Sequence, residues 1–201
     1  MSGWQVTSLR IDLYNPPFWL INLFRAILSV DSLRSLEVGE TALAGSYAIL
    51  FEQFGPSLDN LRFNMWDLKD DAIKETFRQY LLECPLLESL QLCCRNLAAN
   101  NSQVASLLQL VCQTTKQITF CIGVDVEAAF GNPLLRSSWT PLEQVLLNIR
   151  ELEHVRFVAE NLTNKKRGFG LRNQVILDDV QQQLVKDCLP KLETAGLLSF
   201  E

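Results

Sequence analysis

The chain has 201 residues, of which 48% are hydrophobic and 20% charged, so it carries enough apolar material for one continuous core. Eighteen Lys and Arg residues against 23 Asp and Glu give a formal net charge of −5, which argues against nucleic acid and anionic membranes as partners. The apolar runs are far shorter than the roughly 20 residues of a membrane span, and the first residues lack the pattern of a signal peptide. We therefore expect neither a transmembrane helix nor a signal peptide.

The six cysteines do not form the pattern of a disulfide framework or a metal site. The chain is large enough to fold without cross-links, so we expect reduced thiols and a cytoplasmic or nuclear protein. The only close cysteine pair is Cys93 and Cys94, and His154 is the only histidine. Zinc sites use two ligand pairs two to four residues apart, so we predict no metal. No phosphate-binding loop is recognised either, and we predict no cofactor.

A spacing of the form Leu-x-x-Leu-x-Leu, with another apolar residue five positions on, recurs along the chain. The central apolar pairs of seven copies start at positions 9, 36, 61, 90, 118, 155 and 195. The first four steps, of 27, 25, 29 and 28 residues, fit a leucine-rich repeat, in which roughly 20 to 29 residues form one strand and one returning segment. The last two steps, of 37 and 40 residues, indicate units lengthened by insertions. The sequence predicts a single leucine-rich-repeat domain over 1–201, with long insertions around 123–140 and 163–177. The predicted strand pairs are Leu9 and Ile11, Leu36 and Val38, Leu61 and Phe63, Leu90 and Leu92, Ile118 and Phe120, Val155 and Phe157, and Ala195 and Leu197.

Segments with helix signals lie between these strands. Acidic or hydroxyl residues and prolines stand where helix starts are expected, and apolar residues follow at helical spacing. The alternation of strand and helix predicts an α/β fold with about seven short parallel strands on one side and helices on the other. The predicted helices, in chain order, are 18–28, a weaker 43–54, one that follows Asp70 and Asp71, one that begins at Asn101 and Ser102, one with a capping box at Thr140 and Glu143, and one from Asp178 and Asp179 to Cys188.

Strand alternation separates an apolar face from a polar one. If the repeated pairs point into the core, their neighbours point the other way. A sheet face that is polar in every copy indicates a solvated concave surface. The alternative is a two-layer α/β sheet with one solvated face and no binding role. The first outward row is Ser8, Ser35, Asn60, Ser89, Gln117, His154 and Thr194, and the second is Arg10, Glu37, Arg62, Gln91, Thr119, Arg156 and Gly196.

We predict that this face binds a protein, with arginines as anchors because arginine is common at interface hot spots. A third outward row changes from polar to apolar along the chain, which biases the predicted contact region toward the C-terminal half. The alternative is that the insertions fold over this region and bury it. The third row is Asp12, Gly39, Asn64, Cys93, Cys121, Val158 and Leu198. The predicted partner-binding residues are Arg10, Glu37, Arg62, Gln91, Thr119, His154, Arg156 and Val158.

The competing functional class is an enzyme, hydrolase-like, on a layered α/β sheet. His154 is the only histidine and is the candidate general base. A catalytic pair of His154 with Cys121 or Cys93 as nucleophile is conceivable across the sheet. No acid-base pair accompanies it in the sequence. We therefore predict no catalytic residues and a non-catalytic function.

The segment from Cys84 to Cys94 resembles the repeat of F-box proteins with leucine-rich repeats, whose units often open with Cys-Pro before the strand. It reads Cys-Pro-Leu-Leu-Glu-Ser-Leu-Gln-Leu-Cys-Cys, and Cys188 to Leu192 echoes it with one inserted residue. The segments from Trp4 to Ile11 and from Leu33 to Val38 are similar to the part that follows the F-box in many fungal F-box proteins.

This resemblance implies a repeat domain that selects the substrate of a cullin ubiquitin ligase, with a Skp adaptor bound by the F-box. Nothing before Trp4 could form that F-box, so a Skp adaptor is expected as a partner only if an F-box is supplied elsewhere. The asparagine that usually follows each repeat strand is replaced by Thr41, Trp66, Arg95 and Glu160. We therefore expect an irregular arc whose turns are satisfied individually.

Overall fold

The computed structural model describes residues 4–11, 16–38, 45–65, 71–94, 97–111, 113–123, 130–131, 138–160 and 174–200. Strands and helices alternate along most of this chain. The strands are β1 (Ser8–Ile11), β2 (Ser35–Val38), β3 (Asn60–Met65), β4 (Ser89–Cys94), β5 (Gln117–Gly123), β6 (His154–Glu160), β7 (Gln174–Val175) and β8 (Leu198–Ser199). The helices are α1 (Phe18–Ile27), α2 (Gly45–Phe54), α3 (Asp71–Leu82), α4 (Leu97–Leu108), α5 (Thr140–Leu147), α6 (Asp179–Cys188) and α7 (Pro190–Thr194), with a 3-10 turn at Gly55–Ser57.

Strands β1 to β6 lie in the sheet in the same order as in the chain, and each pairs in parallel with the next. Strand β8 pairs in parallel with β6, and β7 pairs with the far end of β6 in the antiparallel direction. The predicted α/β class and parallel sheet are confirmed, with seven parallel strands in all. The short antiparallel β7 was not predicted. Residues opposite one another in β1 to β6 are 27, 25, 29, 28 and 37 positions apart, as in Ser8 with Ser35 and Gln117 with His154.

The predicted inward side chains form the core together with the helices. Leu90 is completely buried, which confirms the predicted strand parity. Among the twelve predicted core residues of β1 to β6, only Leu9 is less than fully buried, since β1 lies at the edge of the sheet. Aromatic rings connect both neighbouring helices and the two layers: Phe51 of α2 stacks on Tyr80 of α3 with ring centroids 4.2 Å apart, and Phe63 of β3 meets a ring of α3, that of Phe77, at 4.3 Å. Burial of such rings is a large part of what stabilises the two layers.

Two helices start at other residues than predicted, because polar side chains expected at their starts form hydrogen bonds with other segments of the chain. Helix α4 begins at Leu97 instead of Asn101, whose amide Nδ2 donates a 2.8 Å hydrogen bond to Ser138 Oγ. The capping box predicted at Thr140 is absent, since the N-cap of α5 is Trp139, without a side-chain cap. Helix α6 has a capping box with Asp178 as N-cap, which was not predicted, and its predicted end at Cys188 is confirmed.

The predicted last repeat was wrong in its position along the chain. Residues 190–194 are helical, so Thr194 lies in α7 and is not part of the polar rows. Gly196 follows with φ 71°, a left-handed conformation that glycine adopts without strain. The strand then begins at Leu198, which lies opposite Val155. Leu198 therefore takes the position predicted for Ala195, and Gly196 lies in the turn before β8.

The entrances of β2 to β6 share one backbone arrangement that ties neighbouring units together. The carbonyl oxygen of Thr7 accepts hydrogen bonds from the N–H groups of Arg34, at 2.9 Å, and Ser35, at 3.0 Å. Both donors lie at the start of the next strand, so a carbonyl group of one unit provides the hydrogen-bond acceptor for the first backbone N–H groups of the following strand. The carbonyl groups of Arg34, Asp59, Glu88 and Lys116 make the same pair of contacts in later units.

Hydroxyl groups reinforce the same loops. Ser57 Oγ lies 2.9 Å from the carbonyl oxygens of Val30 and Leu33 in the preceding unit. Ser32 and Thr114 make equivalent contacts to the units before them. The turns on the other side of the sheet, with Thr41, Trp66 and Arg95, lie outside the described residues, as does most of both insertions.

Candidate protein-binding face

The polar face consists of the side chains of β1 to β6 that point away from the helices. Its first row is Ser8, Ser35, Asn60, Ser89, Gln117 and His154, and its second row is Arg10, Glu37, Arg62, Gln91, Thr119 and Arg156. Residues of one row lie directly opposite one another on adjacent strands, which are about 4.8 Å apart. Six of the seven predicted copies therefore align as expected, and seven of the eight predicted partner-binding residues lie in these two rows.

Exposure falls along the strands from the first row to the third. Asn60 and His154 in the first row are exposed. In the second row Arg10 is exposed, Thr119 is buried, and Glu37, Arg62, Gln91 and Arg156 are half-buried. In the third row Cys93, Cys121 and Val158 form a small buried cluster, separate from the main core. A partner therefore has most access at the amino-terminal ends of the strands.

The buried third row corrects the predicted position of the contact region. Val158 is only 6% exposed, so it does not offer the accessible apolar centre that was expected. Leu198 is half-exposed, but it lies opposite Val155 and belongs to the inward parity. Asp12 and Gly39 lie outside the described residues. Val158 is therefore packed with Cys121 and is a poor contact residue.

Charged side chains bridge the first three strands. Glu37 Oε1 lies 3.4 Å from Arg10 Nε on one side and 3.4 Å from Arg62 Nε on the other. The Arg62 side chain is 14% exposed and the Glu37 side chain 22%, so solvent screens these ion pairs less than it would on an open surface. Together with Arg156, the first two rows hold three arginines and one glutamate. This part of an acidic protein therefore carries net positive charge.

Amide side chains continue the polar face toward the later strands. Gln91 Nε2 lies 2.9 Å from Cys121 Sγ, and Gln117 Nε2 donates a 3.4 Å hydrogen bond to Thr119 Oγ1. The sequence prediction selected the second row and took only His154 from the first. Asn60, Ser89 and Gln117 of the first row were missed, although Asn60 is exposed and the other two are half-buried. The signal that could have found them is a position that is polar in every copy.

The arrangement does not bring the candidate nucleophile and base together. His154 lies opposite Gln117, and Cys121 stands four residues further along β5, about 13 Å away at the strand rise. Cys93 lies one strand beyond Cys121. Hydrogen bonding between nucleophile and base needs about 3 Å, so neither cysteine forms a dyad with His154.

The core thiols are held in their protonated form. Burial, with a smaller contribution from Glu83, raises the pKa of Cys84 to about 12. Burial also raises the pKa of Cys94, with a smaller contribution from Cys121. Since the thiolate is the reactive species, these two residues behave as small apolar side chains. The five cysteines in the described part of the chain are buried, and none of them forms a disulfide.

The rest of the described structure and the known proteins offer no further indication of function. Within the described residues, no cluster of three or more His, Cys, Asp or Glu side chains could hold a metal ion. None of the helices in that part of the chain combines the length and apolar character of a membrane crossing. No family model matches the sequence, and no curated protein or solved structure shows significant similarity to it. The polar face therefore remains the candidate functional site of the described residues.

Proposed function

We propose that the protein is a non-catalytic leucine-rich-repeat module that binds another protein through its polar face. The observation that carries this proposal is the in-register repetition of two polar rows over six parallel strands, with exposed side chains at Asn60 and His154. Polar residues at equivalent positions of six adjacent strands form one continuous surface, which suits the binding of an extended segment of another protein. The distance between His154 and the cysteines supports the non-catalytic assignment.

The curvature expected of such a module follows from the different spacing of helices and strands in its two layers. Helices α1 to α4 each contact the next, and they pack on the same face of the sheet as the main core. Packed helices are 8 to 10 Å apart, whereas strands are separated by about 4.8 Å. One helix for each strand therefore forces the sheet to bend with the strands inside. In this arrangement the polar face is the concave side of an arc.

The charge of the polar face suggests the chemistry of the partner segment. Arg10, Arg62 and Arg156 outnumber Glu37, and Glu37 holds two of the guanidinium groups near each other. Arginine in such positions pairs well with carboxylates. We infer that the partner presents an extended acidic and polar segment, which enters from the amino-terminal ends of the strands.

We further propose that the module selects substrates for an F-box-type ubiquitin ligase in the cytoplasm or nucleus. The Cys-Pro opening at Cys84 and Pro85, directly before β4, supports this proposal, as does the reduced state of the described cysteines. A Skp adaptor joins the complex only where an F-box is supplied outside the repeat units. Neither nucleic acid nor membrane is part of this proposal.

Negative charge introduced on the first row should abolish partner capture. We expect the double variant Asn60→Glu with His154→Glu, expressed in the source cell, to lose the specific protein that wild type retains in affinity capture with mass spectrometry. Both residues are exposed, so the substitutions put carboxylates where an acidic segment would dock without disturbing the core.

The matched control for this variant adds the same charge on the helical side. Gln79 in α3 and Gln144 in α5 are exposed, and Gln79→Glu with Gln144→Glu should keep the partner. Retention of every specific partner by the variant at Asn60 and His154, or equal losses in both variants, would refute binding through the polar face.

A further inference from the structure

Two cysteines lie opposite each other on the side of the sheet that points away from the helices. Cys93 of β4 and Cys121 of β5 are partners in the parallel register, so their Cα atoms are separated by about the strand spacing of 4.8 Å. Together with Val158 of β6 they form a small cluster that is separate from the main core. We call Cys93 and Cys121 the thiol pair.

The thiol pair has the spacing that a disulfide needs. Disulfides usually join Cα atoms that are about 4.4 to 6.8 Å apart, with Cβ atoms about 3.5 to 4.5 Å apart. Both side chains point to the same face, because they are opposite each other in the register. The wider spacing of the helices bends the sheet toward this face, so side chains on it converge as they leave the strands. The Cβ atoms of the thiol pair are therefore closer together than the Cα atoms.

The other cysteines of the described residues are not opposed by a second thiol in the sheet. Cys94 is the next residue of β4, but it belongs to the main core and lies opposite Ile122. Cys84 and Cys188 lie outside the strands, and Cys188 Sγ contacts the carbonyl oxygen of Phe130 at 3.6 Å. The strand register therefore singles out one pair of thiols.

Exposure and hydrogen bonding give the two thiols different roles. Cys93 keeps 3% exposure whereas Cys121 is completely buried, so a small oxidant in the solvent reaches Cys93 first. Gln91 Nε2 lies 2.9 Å from Cys121 Sγ. An amide N–H that donates to sulfur favours the thiolate, which is the form that attacks another sulfur atom. Cys93 is therefore suited to be oxidised first, and Cys121 is suited to form the bond.

We propose that Cys93 and Cys121 are an oxidation site, at which hydrogen peroxide produces a disulfide between β4 and β5. Peroxide converts the Cys93 thiol into a sulfenic acid, and one water is released. The Cys121 sulfur then attacks the Cys93 sulfur. The S–S bond forms, the S–O bond breaks, and the hydroxyl leaves with the Cys121 proton as a second water. The two thiols supply the two electrons that reduce one peroxide, and a dithiol reductant reverses the reaction.

Disulfide mapping in the whole chain after peroxide treatment tests this site. The reduced, folded protein should lose two free thiols, and the remaining thiols are then blocked with N-ethylmaleimide before digestion with trypsin. We expect a linked pair of peptides, 79–95 and 117–136, which dithiothreitol separates. Fragment ions of the linked pair should assign the bond to Cys93 and Cys121.

Matched variants confirm which sulfur of the first peptide reacts, since that peptide also contains Cys84 and Cys94. Cys93→Ala should abolish the linked pair, whereas Cys84→Ala and Cys94→Ala should retain it. Circular dichroism before oxidation shows that each variant is folded. Absence of the linked pair from peroxide-treated wild type would overturn the proposal, as would its persistence in a folded Cys93→Ala variant.

Discussion

Replacement of Leu90 by alanine should lower the free energy of unfolding by about 2 to 5 kcal/mol, the usual range for a buried leucine. Leu90 is completely buried in β4, between Leu61 of β3 and Ile118 of β5. A cavity there removes contacts from three units at once, and repeat arrays depend on the contacts between neighbouring units. Urea unfolding followed by circular dichroism measures the loss.

The control for Leu90→Ala is the same substitution at Leu86, four residues earlier in the same unit. Leu86 is 53% exposed, so Leu86→Ala should change the free energy of unfolding by no more than about 0.5 kcal/mol. If both variants were as stable as wild type, the inward position of Leu90 and the division of the sheet into two faces would be wrong.

Replacement of Glu143 by alanine should lower the free energy of unfolding by about 2 to 4 kcal/mol. Two backbone N–H groups lose their acceptor in this variant, and each unsatisfied buried hydrogen-bonding group costs about 1 to 3 kcal/mol. Glu143 lies in α5 and is only 3% exposed. Its Oε1 accepts hydrogen bonds from the backbone N–H of Lys191, at 2.6 Å, and of Leu192, at 3.2 Å. The carboxylate therefore caps α7 from another helix and holds the last unit in place.

Two neighbouring substitutions separate this cap from general effects on α5. Glu143→Gln keeps a carbonyl oxygen as acceptor and should lose less than half as much stability as Glu143→Ala. Gln144→Ala changes the exposed next residue and should stay within about 0.5 kcal/mol of wild type. Amide hydrogen exchange at Lys191 and Leu192 should become faster only in the Glu143 variants. Equal stability of Glu143→Ala and Gln144→Ala would contradict the capping role.

The strands of the first six units could be predicted because their signal is local. Alternation of apolar and polar residues determines which face each side chain joins, and the repeat places equivalent residues opposite one another. Leu61, Leu90 and Ile118 are opposite one another in the structure as the repeat predicts. The two polar rows follow from the same alternation, without knowledge of the helices.

The last unit could not be predicted in this way, since its structure depends on distant residues. Ala195 and Leu197 have the spacing of a strand pair, but Pro190 begins a helix whose first N–H groups are satisfied by Glu143. Only after the turn at Gly196 can the strand begin. Glu143 was instead predicted to cap its own helix, because a sequence pattern shows only nearby hydrogen-bond partners.

Exposure of the polar face was also only partly predictable. Parity shows that Val158 points away from the core, yet it does not show whether other parts of the chain exclude solvent there. The burial of Cys93, Cys121 and Val158 is a tertiary property of the folded chain. The first row stays accessible at Asn60 and His154. The candidate site therefore moves toward the amino-terminal ends of the strands.

Photo-crosslinking from single positions tests binding through the polar face most directly. A benzophenone amino acid at Asn60 reports on the polar face, and the same amino acid at Gln79 reports on the helical side, with both positions exposed. In the source cell, the proposed function predicts a discrete crosslinked protein from position 60 and none from position 79. Crosslinks to a specific protein from position 79 alone would show that the protein binds its partner through the helices, and would contradict the proposed function.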